Sequence, residues 1–531
     1  MESTTIDTEL SPVARSSAGL RWPYWLLTVI GFGLVTAAGL WLRWRYASTI
    51  SPNVDEFTSL WVARRTLETG VPIMPSGALY ARGMLTSYLT ALVMELWGAS
   101  YTVGRLPSLF FGLAALVAIF ALGRRAWNQR VGWLALAGLG LLPEAVVWSG
   151  RARFYAPLLF FTLLMLWAAF VAVAPPRDDA AGKAGNTRAP LYFALFFVLA
   201  LISQEETILL FPSVLLATWL WRGWRYLWRP TVLAANLICV AAMAIRFQLE
   251  RIGQPEYFAE MQEHKPYINL LAGVGEMLVS YSRLFIEPQR LPWTLAGLCA
   301  VVVALVHLRR QRAGLSGLPR FHQASLFFAL HLVSVVAVIV VVIGRSWNDP
   351  RYLFMVQPLW LLVGAAGLVW LVDRLVRGET IRWLVTGLVA IGLAGLLWTP
   401  AVKATREDAE GYDAAFRYVA EHRQPGDVVM TPQTSACAVV LAQPCDYFAR
   451  ERGFEPYSVE QNGVWVDRWT GATVLSTAEE LARVVQTSPR VWFVADYDRL
   501  GNRYYPEFLT TLVEQFGKVY AERDAIVLMA E

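Results

Sequence analysis

Long apolar runs recur along the chain, and they constrain its fold more than any other feature of the sequence. A helix crosses the core of a bilayer with roughly 20 consecutive apolar residues, and with fewer where neighbouring helices assist. The first run covers residues 22–42, and later ones cover residues 291–307, 353–372 and 381–398. The sequence predicts a polytopic α-helical membrane protein with about eleven transmembrane helices, all before residue 400.

The composition supports this assignment and argues against a nucleic-acid-binding protein. Of the 531 residues, 56% are hydrophobic and 16% are charged, whereas soluble proteins carry about 25% charged residues. Many of the 23 Trp residues stand at the ends of apolar runs, where amphipathic rings collect at membrane interfaces. The net charge is +5, but the Arg residues lie in short clusters between apolar runs. We interpret these clusters as determinants of topology and expect no nucleic-acid partner.

The basic clusters predict which ends of the helices face the cytoplasm, because Lys and Arg are enriched in short cytoplasmic loops. Counted from a cytoplasmic N-terminal tail at residues 1–21, all the clusters fall on one side; they lie near Arg124, Lys183, Arg225, Arg310 and Arg377. We therefore expect a multi-pass protein of the cytoplasmic (plasma) membrane. Residues 22–399 would form its transmembrane domain, residues 43–104 its first outer loop, and the C-terminus would lie outside.

Residues 400–531 form a second unit of different composition. Short β-rich runs such as RVWFVADY and AIVLMAE alternate there with helix-like segments such as TAEELARVVQ. This alternation favours a small extracytoplasmic α/β domain with a largely parallel sheet. Cys437 and Cys445 are eight positions apart on this oxidising side. The compartment permits a disulfide without fixing its geometry, so their pairing stays open.

Two adjacent carboxylates, Asp55 and Glu56, follow the first apolar run and admit two interpretations. In the first they belong to a helix start: Asn53 and Glu56 form a capping box, and Asp55 suits the positive end of the helix. The helix would be amphipathic and lie on the membrane. In the second they are functional, because capping needs only one acid and acids at a membrane often mark a site. The residues alone leave both interpretations open.

Four further polar groups fall on the same outer side. They are Tyr80 with Arg82, Arg153 with Tyr155, Glu205 with Glu206, and Arg351 with Tyr352. Each group alone is more often a helix-end ion pair than a ligand site, although the two Glu residues interrupt an apolar hairpin with no basic residue near them in sequence. Together they place carboxylates, guanidinium groups and Tyr hydroxyls above an apolar bundle. A reaction between a lipid-borne anion and a polar acceptor needs such a set.

The order of these elements resembles that of a known family. The outer loop that opens with Asp-Glu is followed by Tyr80-x-Arg82, by GRLPSLFFGLAALVAIFALGRR, by RARFYAPLLFF and by PRYLFMVQPLWLL. Up to about residue 400 the chain resembles the lipid-phosphosugar-dependent glycosyltransferases of the GT-C superfamily. Within it, the chain is similar to the branch of protein O-mannosyltransferases and lipid A aminoarabinose transferases. The sequence lacks the WWDYG-type element of oligosaccharyltransferases, which argues against Asn-linked transfer.

The resemblance implies a GT-C fold and a glycosyltransferase of the cell envelope. Such an enzyme moves a hexose or pentose, with inversion, from a polyprenyl-phosphate-linked sugar to a lipid, glycan or protein acceptor at the outer face, among membrane lipids. The site residues that the resemblance implies are catalytic Asp55 and Glu56, phosphate-binding Arg82, Arg153 and Arg351, and cavity residues Tyr80, Tyr155, Glu205, Glu206 and Tyr352. A divalent cation could also lie near Asp55, where Glu205 or Glu206 would complete its site.

Two points leave the function open at the level of sequence. The hairpin where relatives often carry Lys or His reads Gln204-Glu205-Glu206, so the resemblance fixes neither the sugar nor the acceptor. The alternative function is a non-catalytic membrane subunit or a transporter with an extracytoplasmic docking domain. Transporters tend to show inverted repeats and helices broken at the midplane, and the sequence shows neither signal.

Overall fold

The computed structural model describes residues 22–174, 188–253, 268–311, 314–347, 349–406 and 410–531. The predicted cytoplasmic tail at residues 1–21 and most of the basic loop around Lys183 lie outside the described residues.

Helices account for nearly all of the described chain up to residue 404. They are α1 (Trp22–Thr49), α2 (Val54–Thr69), α3 (Met84–Trp97), α4 (Tyr101–Ala126), α5 (Gln129–Leu141), α6 (Pro143–Gly150), α7 (Tyr155–Val173), α8 (Ala189–Ser203), α9 (Phe211–Arg222), α10 (Trp224–Leu227), α11 (Pro230–Gly253), α12 (Val274–Ile286), α13 (Leu291–Gln311), α14 (Arg320–Ala337), α15 (Gln357–Leu375) and α16 (Glu379–Ala404). Short 3₁₀ segments lie at Glu205–Leu210 and Pro350–Val356, and a π-helical segment lies at Val338–Ile343.

Among the described residues, 7 helices are long and apolar enough to cross a membrane. The pair α5 and α6 would make 8, although the two are bent by 64° relative to each other. Pro143 begins α6 at this bend, and a Pro cannot donate the backbone hydrogen bond that would continue α5. The prediction of a polytopic helical membrane protein is confirmed. The number of about eleven spans is not confirmed, since it included α8 and α9, which have only 15 and 12 residues.

The outer helix α2 lies between the membrane helices and the C-terminal domain. Its Phe57 is fully buried in the core of that domain, its Leu60 packs with Ala91 and Ala152, and its Trp61 packs with a cluster that contains Ala438. The prediction that this helix lies on the membrane is therefore wrong, because protein covers Phe57, Leu60 and Trp61.

The C-terminal domain is built on one sheet of eight strands. These are β1 (Val428–Thr431), β2 (Tyr447–Ala449), β3 (Ser458–Gln461), β4 (Val464–Asp467), β5 (Thr473–Leu475), β6 (Val491–Asp496), β7 (Gly517–Glu522) and β8 (Ala525–Ala530). Its helices are α17 (Tyr412–His422), α18 (Thr434–Val440), α19 (Ala478–Thr487), α20 (Tyr497–Arg503) and α21 (Pro506–Gln515). The prediction of an α/β domain is confirmed.

The sheet has the order β3-β4-β5-β2-β1-β6-β8-β7. The four central strands β5, β2, β1 and β6 are parallel, and the outer pairings are antiparallel. The predicted parallel arrangement thus holds only at the centre. The consecutive strands β3–β4, β4–β5 and β7–β8 are joined by links too short for a parallel crossover. From β1 the chain proceeds to β2 on one side and later reaches β6 on the other. This reversal leaves a crevice at the carboxyl end of β1, the place where open α/β sheets bind ligands.

A disulfide joins Cys437 of α18 to Cys445, with the two Cα atoms 5.9 Å apart. The pairing that the sequence left open is therefore formed. It closes the connection that contains α18, and α18 packs directly on α2.

Candidate functional site

The start of α2 carries the acidic pair, and its two acids have different surroundings. Asn53 caps the helix, since its side chain accepts a hydrogen bond from the backbone N–H of Glu56. The Glu56 carboxylate does not return to Asn53. It accepts from Nε and Nη2 of Arg105 at 2.7 and 2.8 Å and from the backbone N–H of Ala152 at 2.7 Å. Only half of the predicted capping box is present, because the second half is replaced by a buried ion pair.

Arg105 extends this network to the end of α1. Its Nη1 donates to the carbonyl oxygens of Ala47 and Ile50 at 3.0 and 2.6 Å. One buried ion pair therefore joins the end of α1, the start of α2, helix α4 and the loop before α7. These contacts fix the position of Asp55, one residue before Glu56.

The Asp55 carboxylate lies between two guanidinium groups. Its Oδ2 is 2.9 Å from Nη1 of Arg351 and 3.5 Å from Nη2 of Arg153. Arg153 also donates to the backbone oxygen of Asp55 and to the hydroxyl of Ser59. The positive charge of Arg153, aided by that of Arg351, holds the pKa of Asp55 below its usual value, although partial burial of the carboxylate acts in the opposite direction. The group is therefore ionised at neutral pH, and with 43% of its side chain exposed it is accessible.

The hairpin acids find basic partners that are distant in sequence. Glu205 pairs with Nε of Arg82 at 3.0 Å and with Nη2 of Arg246 at 3.3 Å. Glu206 accepts a hydrogen bond from the Gln204 side chain at 3.2 Å, and its Oε2 has no partner among the described residues. Burial, together with the neighbouring charge of Glu205, raises the pKa of Glu206 to about 8. At neutral pH the hairpin thus carries one ionised and one largely protonated acid.

Two cavities meet at Asp55. The first, which we call the apolar cavity, has about 470 Å³ and is walled largely by aliphatic and aromatic side chains of α11 and of the π-helical segment Val338–Ile343. The second, the interdomain cavity, has about 300 Å³ and lies between α2 and the C-terminal domain. Five residues line both: Asp55, Arg82, Arg153, Glu250 and Tyr457. A molecule in either cavity can therefore reach the Asp55 carboxylate.

Nine of the ten site residues that the sequence singled out line these cavities. Arg351, Tyr352, Tyr155, Glu205 and Glu206 lie on the apolar cavity, Tyr80 lies on the interdomain cavity, and Asp55, Arg82 and Arg153 lie on both. Glu56 lines neither of them, because its carboxylate is turned into the ion pair with Arg105.

Several residues of the site were missed at the level of sequence. Arg105 and Arg246 lie within apolar runs, and each forms a salt bridge with an acid of the predicted set. A charged residue within an apolar run often marks a functional site, so both could have been predicted from the sequence. Asp467, Arg468 and Trp469 line the interdomain cavity, and nothing local in the sequence marks their turn as part of a site.

The described residues contain no group of three or more His, Cys, Asp or Glu side chains that could hold a metal ion. One oxygen of the Asp55 carboxylate, Oδ2, is in contact with two guanidinium groups. The divalent cation near Asp55 stays a prediction.

Comparisons with known proteins give matches of two kinds. Residues 81–246 match the model of a family described as dolichyl-phosphate-mannose-protein mannosyltransferase. No curated protein matches the chain.

Solved structures match over nearly the whole chain. ArnT from Cupriavidus metallidurans, bound to undecaprenyl phosphate, has a TM-score of 0.62 at 14% identity, over 94% of this chain and 97% of that one. The archaeal oligosaccharyltransferase AglB from Archaeoglobus fulgidus, in complex with an inhibitory peptide and a dolichol-phosphate, has a TM-score of 0.55 at 10% identity, over 96% of this chain and 74% of that one. The chain therefore has the GT-C fold of a polytopic membrane protein and, as the sequence predicted, resembles the branch of that superfamily that contains ArnT and the protein mannosyltransferases.

Proposed function

We propose that the protein is a glycosyltransferase that moves one sugar, with inversion, from a polyprenyl-phosphate donor to an acceptor hydroxyl at the outer face of the plasma membrane. One observation carries the proposal: an ionised carboxylate, Asp55, stands where an apolar cavity with a cationic end meets a polar cavity. An enzyme that joins a lipid-borne donor to a polar acceptor needs this junction.

The apolar cavity suits the donor. Side chains such as Phe247, Ile339 and Val342 offer hydrocarbon walls for a prenyl chain. Arg82 and Arg351 stand at its polar end, where guanidinium groups can bind a phosphate through charge-assisted hydrogen bonds. The bound undecaprenyl phosphate of ArnT and dolichol-phosphate of AglB support a donor of this class.

Asp55 would act as the general base. The acceptor hydroxyl oxygen attacks the anomeric carbon, its proton passes to the Asp55 carboxylate, and the bond from that carbon to the phosphate oxygen breaks. The phosphate leaves without a proton, and Arg82 and Arg351 stabilise its charge. A donor phosphate also competes with Asp55 for Arg351, which would raise the basicity of the carboxylate once the donor is bound.

Glu56 takes no direct part in this scheme. Its carboxylate is fully buried against Arg105 and lines neither cavity. We assign it the role of holding Asp55 and the loop of Arg153 in place, through its bonds to Arg105 and to the backbone of Ala152.

The test uses the purified protein in nanodiscs and a panel of hexoses and pentoses linked to undecaprenyl phosphate. It measures how fast the protein releases polyprenyl phosphate from each of these donors. We expect Asp55→Asn to lower the rate by roughly 10²–10⁴-fold, the usual contribution of a positioned base, while binding of undecaprenyl phosphate is retained. We expect Arg82→Ala to weaken that binding and Arg82→Lys to restore part of it, since Lys keeps the charge without the bidentate geometry.

Asp349→Asn is the matched control, because Asp349 also pairs with Arg351 but does not line either cavity. It should cost far less activity than Asp55→Asn. Equal losses in the two variants would remove Asp55 as the base. Retention of undecaprenyl phosphate without turnover of any donor would favour a non-catalytic membrane subunit.

A further inference from the structure

We propose that the interdomain cavity is the acceptor site and that it accepts a sugar ring, so that the acceptor is a carbohydrate. This inference rests on the proposed function and narrows its acceptor to one chemical class. Three observations support it. The cavity wall contains a turn with a buried carboxylate, it contains a group of aromatic rings, and the cavity lies at the carboxyl ends of the central strands.

The carboxylate belongs to Asp467, at the end of β4. Its Oδ2 accepts three hydrogen bonds of 2.7 Å, from the Thr434 hydroxyl and from the backbone N–H and hydroxyl of Thr470. The backbone N–H of Trp469 also faces this carboxylate. Its Oδ1 nevertheless makes no hydrogen bond of ordinary distance and angle among the described residues, although only 1% of the surface of Asp467 is exposed. A buried carboxylate oxygen without a partner is costly, and Asp467 forms part of the cavity wall. A hydroxyl of a molecule in the cavity would satisfy it.

The aromatic faces lie beside this carboxylate. Trp469 is in edge contact with Tyr80, with ring centroids 5.5 Å apart, and its ring lies 6.3 Å from that of Tyr457. Phe454 continues the group at 5.3 Å from Tyr457. Sugars are bound in this way in general, since the C–H face of the ring packs on an aromatic face while its hydroxyls bond to acids and guanidinium groups.

The turn that carries Asp467 and Trp469 is held over the first outer loop. The Trp61 indole of α2 donates to the backbone oxygen of Trp469 at 2.9 Å, and the Ser76 hydroxyl donates to the backbone oxygen of Arg468. Trp61 is on the same helix as Asp55. The residues that would bind the acceptor are therefore fixed relative to the proposed base.

The position of the cavity also favours a compact ring over an extended peptide. Pro432 and Gln433 follow β1, Phe448 lies in β2, and Arg499 follows β6, so the cavity occupies the crevice at which the strand order reverses. The edge strands β3 and β7 contribute no residue to its wall within the described chain. A peptide that binds by strand addition would need such an edge.

The experiment measures acceptor binding alone, by saturation-transfer NMR on the full protein in nanodiscs without donor. The probes are methyl glycosides of hexopyranoses, hexofuranoses and pentofuranoses, with Ser- and Thr-containing peptides for comparison. We expect saturation of ring protons for at least one glycoside. Asp467→Asn should weaken this binding by roughly tenfold or more, because the amide keeps the bonds to Thr434 and Thr470 but presents a donor in place of Oδ1.

Trp469→Leu provides a second variant, since the contact with Trp61 uses its backbone oxygen and survives the change. It should abolish the signal. Asp427→Asn is the control for stability. Asp427 also accepts hydrogen bonds in this domain, from Trp492 and Arg490, and these are partly buried. It lies outside the cavity wall, so binding should persist.

Several results would overturn the inference: no glycoside binding, binding of the peptides only, or glycoside binding that is unchanged in both cavity variants. The sugar that binds is then offered in two forms, as a free oligosaccharide and as a glycolipid in the nanodisc. The form that binds more tightly shows whether the acceptor is a soluble glycan or a lipid. Glycoside binding without turnover of any donor would support this inference and contradict the proposed function. Donor turnover without glycoside binding would contradict this inference and support the proposed function.

Discussion

At the scale of single residues, Asp55 and Glu56 are neighbours whose carboxylates have different partners, so their substitution should have different effects. Glu56→Gln removes the charge that faces the buried Arg105 guanidinium, and an ion pair broken in this way costs on the order of 3 kcal/mol. We expect a lower Tm, measured on purified protein in detergent, and a loss of activity that follows the loss of folded protein.

Glu68→Gln, in the same helix, is the matched control. Glu68 pairs with Arg64 and Arg65 but is 42% exposed, and exposed ion pairs contribute little. Its Tm should hardly change. If Glu56→Gln left the Tm unchanged while activity disappeared, Glu56 would be a catalytic group after all.

Glu206 should make the protein sensitive to pH. Burial and the charge of Glu205 raise its pKa from 4.5 to about 8, although the Gln204 amide, Arg351 and Arg82 oppose the shift. Between these two values the folded state holds a proton that the unfolded state releases, so the free energy of unfolding falls as pH rises through this window. We expect Glu206→Gln to flatten the dependence of Tm on pH between 5 and 9 and to be more stable than the wild type at the alkaline end.

The same substitution should change donor binding. Above pH 8, ionised Glu206 repels a phosphate in the apolar cavity, so wild-type affinity for undecaprenyl phosphate should fall there while that of Glu206→Gln stays level. Parallel pH profiles in the two proteins would show that Glu206 does not titrate in this range.

At the scale of elements, the turn before α3 sets the position of Arg82. Gly83 adopts φ of +61°, and a Cβ built there would lie 2.5 Å from Cδ1 of Phe154. Gly83→Ala should therefore lower the Tm and weaken binding of undecaprenyl phosphate, because α3 or the loop of Arg153 must move. Gly77→Ala measures the backbone contribution alone, because its φ is +79° but nothing lies within 4 Å of a Cβ built there. The larger loss in Gly83→Ala is then the steric contribution. Equal effects of the two substitutions would point to backbone strain of about 1–2 kcal/mol alone.

Elements with a strong local pattern could be predicted from the sequence, and those set by distant contacts could not. The apolar runs that became α4, α7 and α15 carry their own signal. Helix α2 was predicted as a helix from its cap and its apolar spacing, but its surroundings were not, since Phe57 packs against residues more than 350 positions later in the chain. The same limit applies to Glu205, whose partners come from α11 and from the first outer loop.

At the scale of the whole molecule, the predicted orientation places both cavities on the outer side. A reporter fused after Glu531 should be extracytoplasmic, and one inserted near Gly182, in a segment outside the described residues, should be cytoplasmic. Alkaline phosphatase and a fluorescent protein provide the two complementary readouts. Both insertions on the same side would overturn the placement of the site.

The site as a whole was predictable only in part, because it is assembled from two domains. The membrane half was found as a set of polar groups on one face, since charged residues stand out against apolar runs. The other half, around Asp467 and Trp469, lies in a polar domain where acids and aromatic residues are ordinary. Its relevance follows only from the tertiary contact between Trp61 and the turn of Trp469.

The burial of Phe57 in the C-terminal domain has a consequence for biosynthesis. Phe57 shares its core with Ala525 and Val527 of β8, so the ribosome makes the two halves of this contact far apart in time. Until β8 has emerged from the ribosome, the core that receives Phe57 is incomplete. A chain truncated before β8 therefore keeps the apolar helices of the transmembrane domain but lacks part of the core on which α2 docks.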